Sequence, residues 1–179
     1  MKKIRLLLDN LESSSNKIFI IKIVFIALLP KTIVIFLLFI AYFLGVDIKK
    51  ILQLQDLSSY SYSLDNLLNL KQGFFSISWL FIIAPLSETL VNQALVIKLT
   101  SFITKKTWIL ILISTITFIL IHEENNKVIP TYVGTILAWS YIIKSKSSFW
   151  NGLWTTTAIH SLINILSVLP LFIFKFIVK

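Results

Sequence analysis

The chain has 179 residues, one domain's worth at about 100–200 residues per domain. Hydrophobic residues make up 56% and charged residues 14%, against about 25% charged in an ordinary soluble domain, and the mean hydropathy is +0.86. So few charges could not cover a soluble globule, and a disordered chain is far less apolar. The composition therefore points to an all-α polytopic membrane bundle, a single transmembrane domain over 1–179. The absence of Cys excludes disulfides, thiolate zinc sites and Cys nucleophiles. The net charge of +9 is nearly all Lys, with Arg5 the only arginine. It lies in short clusters between apolar runs, which suits topology determinants and not a nucleic-acid surface.

Residues 1–16 carry Lys2, Lys3 and Arg5, then Ile4, Leu7, Leu8 and Leu11 at helical spacing, which predicts a short interfacial amphipathic arm. No small-residue cleavage site follows, so a signal peptide fits less well. Ser13 to Asn16 break the pattern and offer a cap. A long apolar run over 18–44 contains Lys22, Pro30 and Lys31. Its later part spans a hydrocarbon core of about 30 Å once. Lys31 near its middle must face protein or water.

Residues 45–73 are mixed and polar, and their leucine spacing suggests helical pieces lying on the membrane surface. Four further spans are predicted at 74–97, 108–121, 128–143 and 149–169. The five spans, with 74–169 as the core that carries the motifs, complete the bundle. Residues 171–179 are too short to cross alone. The Lys clusters at 2–22, 98–106 and 144–146 should share the cytoplasmic side, with 45–73 and the net acidic 122–127 outside. Trp108, Trp139, Tyr141 and Trp150 fall near the inner ends, as interfacial aromatics do.

Polar groups inside apolar runs carry the chemical information. Glu88 lies in the second span, where a carboxylate costs roughly 2.5–3.5 kcal/mol even on a lenient scale. His122 closes the third span. His160 and Asn164 are four residues apart in the fifth and share a helix face with Thr156, Thr157 and Ser167. Such a stripe must face the bundle interior. A purely structural role, with Ser, Thr and Asn bonding between helices, is the competing reading. Glu88 lies about eleven residues past Ile77 and His160 about eleven past Phe149, each roughly 16 Å along a helix, so both fall near the midplane.

These residues resemble the three motifs of the CPBP intramembrane proteases, the family that includes CAAX-processing enzymes. The family patterns are EExxxR, FxxxH and HxxxN. Glu88 follows Ala84-Pro85, Phe118 precedes His122, and His160 precedes Asn164, in the family's order and each pair on its own predicted span. The chain departs at Thr89 and Gln93, which replace the second Glu and the Arg. A neutral pair at i,i+4 keeps the charge balance and can keep a hydrogen bond, but loses a charge-assisted contact.

The resemblance implies an intramembrane endopeptidase acting on a membrane-associated peptide or protein in the bilayer. Glu88 would be the general base and His122 would orient the water. His160 and Asn164 would donate to the oxyanion, supported by Thr89, Gln93 and Phe118. Glu88, His122 and His160 are also a two-His, one-carboxylate set able to hold zinc with a water. No HExxH is present, and the His–Asn pair suits an oxyanion site, so the metal-free form is preferred and no cofactor is expected. A weak or inactive member acting in bacteriocin immunity or as a scaffold is the alternative, favoured by Thr89 and Gln93. A small proton-relay transporter fits least, since no repeat is present. The bias toward Lys, Ile and Asn suggests an AT-rich bacterium, hence its cytoplasmic membrane.

Overall fold

The computed structural model describes residues 9–45, 78–122 and 127–177. The surface pieces expected within 46–73 and most of the arm lie outside those residues. Among the described residues every regular element is helical. We label the long helices α1 (Asn16–Phe43), α2 (Trp79–Ile103), α3 (Thr107–Leu120), α4 (Val128–Ser145) and α5 (Phe149–Ile177).

A short turn of helix at 9–12 ends at the serines, and α1 starts at Asn16. Ser14 Oγ donates to the Leu11 carbonyl at 2.7 Å, holding the break closed. α1 then runs through Pro30. Phe19, Ile23, Val24 and Ala27 bury one face of it, at the spacing of an α-helix. Lys31 turns toward the bundle, and its Nζ donates to Ser167 Oγ at 2.8 Å.

Two predicted boundaries move. The second span was expected to end near residue 97, but α2 continues to Ile103 and stops where Thr104 turns extended. Ile97 and Thr100 stay buried there, so the packed face simply continues, and Lys98 sits on the helix and not in a loop. The fifth span was expected to end near residue 169, but α5 is helical through Pro170 to Ile177. Proline removes one backbone bond, yet away from water the helix still satisfies most of its other backbone groups, so the helical form persists. α2 is 25 residues long and apolar enough to cross a bilayer.

α4 and α5 lie against each other, with α3 on α4, α1 on α5, and α2 wedged against α3, α4 and α5. One apolar cluster joins α1 to Phe118, Leu137 and Ile159; a second joins Ala94 and Ile97 of α2 to Leu110, Ala138, Tyr141 and Leu153. The outside is apolar as well: Phe25, Phe102 and Leu120 are 70–77% exposed, which suits a lipid surround. The segment before α1 is tied to the α4–α5 turn. Lys144 donates to the Ser14 carbonyl at 2.8 Å with its ammonium 4.4 Å from the Phe19 ring, and Lys146 pairs with Glu12 at 2.6 Å.

Candidate active site

The winding of α2 places Glu88. Trp79–Ile83 and Thr89–Leu95 are π-helical, and Ala84–Glu88 between them is α-helical. In the first π turn the Ala84 N–H reaches back five residues to the Trp79 carbonyl. In that register the donor for the Leu80 carbonyl would be residue 85, which is proline and has no N–H. Asn164 fills the gap from α5, its Nδ2 donating to the Leu80 carbonyl at 3.1 Å. The second π turn is held in a similar way, with Ser114 Oγ of α3 donating to the Asn92 carbonyl at 2.6 Å. Glu88 thus projects from a short α segment whose two flanks are gripped by neighbouring helices. π-helical turns are frequent at functional sites.

Glu88 Oε2 lies 3.7 Å from His122 Nε2 and 3.7 Å from His160 Nε2. Both separations exceed a hydrogen bond, and Oε2 is buried without a partner among the described residues. The carboxylate therefore faces two imidazoles across gaps that a water or a substrate oxygen could bridge. His122 Nδ1 donates to the Phe118 carbonyl at 2.7 Å. A carbonyl only accepts, so the proton sits on Nδ1, and Nε2 is left to accept on the Glu88 side. The Phe118 ring walls both imidazoles, with centroids 4.2 Å from His122 and 5.7 Å from His160. Glu88 and His122 keep 23% of their side-chain surface exposed, while His160 keeps 4%. The cluster is open on one side and closed at its floor.

Three of the four expected site residues, Glu88, His122 and His160, meet in this way, with Phe118 beside them. Asn164 lies one turn of α5 beyond His160, and its recorded bond is to α2. An amide nitrogen has two protons, so one remains for another acceptor. Thr89 and Gln93 depart from expectation. Both are fully buried, but among the described residues neither Thr89 Oγ1 nor either polar atom of Gln93 has a hydrogen-bond partner. The anticipated bond between them is not formed. Stacking of residues four apart belongs to α winding, and these two sit in a π turn. Among the described residues no group of three His, Cys, Asp or Glu side chains stands out as a metal site.

Ser114 escaped the sequence reading. It is fully buried in α3 beside Thr115 and Thr117, and this short hydroxyl cluster within an apolar run was the available signal.

The described residues form an all-helical bundle that sets a carboxylate oxygen against two imidazoles. Residues 70–166, more than half of the chain, match the type II CAAX prenyl endopeptidase Rce1-like family. The chain belongs to that family, whose members are membrane-embedded protease-type enzymes. No curated protein and no solved structure matches the chain.

Proposed function

We propose that the chain is an intramembrane endopeptidase that hydrolyses a peptide bond of a membrane-associated peptide or protein, with Glu88 as general base. The observation that carries this reading is the gap that Glu88 Oε2 shares with two imidazole nitrogens. A water there donates one proton toward Glu88 and the other toward His122 Nε2, leaving a lone pair for attack. Glu88 takes the first proton as the oxygen bonds to the scissile carbonyl carbon. The oxyanion accepts from His160 Nε2–H and from the free proton of the Asn164 amide. On collapse the C–N bond breaks and Glu88 passes its proton to the leaving amine, which regenerates the carboxylate. No metal enters this sequence.

The same reading sets the chain in a bacterial cytoplasmic membrane with five spans, its Lys clusters at residues 98–106 and 144–146 inside. The second reading, immunity factor or scaffold, draws on the unbonded Thr89 and Gln93. Membrane peptidomes of cells expressing wild type or Glu88→Ala separate the two. Peptide termini that appear with wild type alone support the protease. Identical peptidomes, with a deletion phenotype complemented equally by both genes, establish the scaffold.

A further inference from the structure

We propose that Gly134 of α4 is a positioning residue for both site histidines, acting through the Phe118 ring that it admits between α3 and α4. This rests on the protease reading for its effect on rate, but not for its effect on the imidazoles.

Glycine is the poorest helix former after proline, yet Gly134 lies in the interior of α4. Its surroundings give the reason. A Cβ at 134 would meet Phe118 Cδ1 at 2.9 Å, Cγ at 3.2 Å and Cβ at 3.3 Å. Rotating the ring could relieve the first of these contacts. It cannot relieve the last, because Phe118 Cβ is fixed to the α3 backbone. Phe118 is 1% exposed and packed with Leu137 and Ile159, so the ring has nowhere to go. An added methyl must push α3 away from α4.

Phe118 is the residue through which that push reaches the site. Its carbonyl accepts from His122 Nδ1 at 2.7 Å, and its ring lies against both imidazoles. A shift of a few tenths of an ångström at Phe118 therefore loosens the bond that fixes the His122 tautomer and moves the wall behind His160. The influence of Gly134 on both imidazoles thus runs through Phe118.

The chain contains two histidines, both in the site. Histidine-selective 15N labelling of the whole protein in micelles therefore reads the site alone. In wild type the His122 signals report one tautomer, protonated at Nδ1. Gly134→Ala gives a tautomer mixture at His122, a far larger 15N change than ring currents cause. It lowers kcat about tenfold while leaving KM within twofold, as small displacements of catalytic groups do.

Gly152→Ala is the matched control. Its Cβ, in the first turn of α5, would meet Ser145 Cβ at the end of α4 at 2.7 Å. It lowers thermal stability but leaves the His122 tautomer and kcat unchanged. Gly134→Ala/Phe118→Leu has a smaller side chain that eases the contacts of the ring atoms but not the one at Cβ, so stability returns only in part while the ring wall stays lost. Its kcat remains at least tenfold down. The proposal is overturned if Gly134→Ala keeps a single His122 tautomer, or if Gly152→Ala changes the tautomer equally. It is also overturned if the double variant has wild-type kcat. Should wild type prove inactive, the protease reading fails and the tautomer measurement still decides the role of Gly134.

Discussion

Thr89 and Gln93 give the sharpest energetic test of the α2 geometry. Both are fully buried, four residues apart, with three polar atoms that lack partners among the described residues. Thr89→Glu alone puts an uncompensated carboxylate in that site, and Gln93→Arg alone puts an uncompensated guanidinium there. Breaking a buried pair down to one member costs about 3–5 kcal/mol, and each single variant should lose that much. Glu and Arg are longer than Thr and Gln and can meet across the π turn where the shorter pair does not. With both changes each charge then has its partner, so most of that loss returns. The expected coupling energy is at least about 3 kcal/mol, since contacting charges depart strongly from additivity.

The effect on rate follows from the same contact. Wild type makes no bond here, whereas a charge-assisted bond contributes about 1.5–3 kcal/mol. If that is fully felt in the transition state, by fixing the segment that carries Glu88, the double variant gains about ten- to a hundredfold. The assay is denaturant unfolding in micelles for the four members of the cycle, followed by kcat/KM on one substrate. Single-variant losses that add within about 0.5 kcal/mol would show that the two side chains share no site.

Three further outcomes follow. Asn164→Leu leaves the Leu80 carbonyl without its donor and should cost about 1–3 kcal/mol in thermal or denaturant stability. In a Pro85→Ala background the chain regains a backbone N–H at 85, so the same Asn164→Leu change should cost less than half as much; equal costs would refute the proline-gap explanation of the π turn. Lys144→Met strands the Ser14 carbonyl and should cost about 1–3 kcal/mol, measured in the same way. Topology reporters fused at Lys105 and Asn126 should read inside and outside respectively, and an outside signal at Lys105 would reverse the orientation.

Much of the site was legible because an ionisable group in an apolar run is costly enough to need a reason. That logic found Glu88, His122 and His160, and the shared helix face led to Asn164. It also required Lys31 to find a partner, and Lys31 reaches Ser167. What stayed hidden depends on backbone winding. Nothing in the composition of residues 79–95 announces two π turns, although Pro85 is part of the cause. Without them the carbonyls of Leu80 and Asn92 cannot be recognised as acceptors for Asn164 and Ser114. The pairing of Thr89 with Gln93 failed for the same reason, because it assumed α spacing. Gly134 was unreadable for a different reason: its role depends on which side chain faces it from another helix, and a single chain's periodicity does not contain that information.

The central claim is that Glu88 activates the attacking water. The direct measurement is cleavage by purified protein of a peptide whose terminus depends on wild type in cells, comparing wild type with Glu88→Gln. Glutamine keeps the shape and removes the base, so the rate should fall by about 10²–10⁴, with wild type unaffected by a strong chelator. Cleavage by Glu88→Gln within a few-fold of wild type would remove Glu88 as the base, and the site with it.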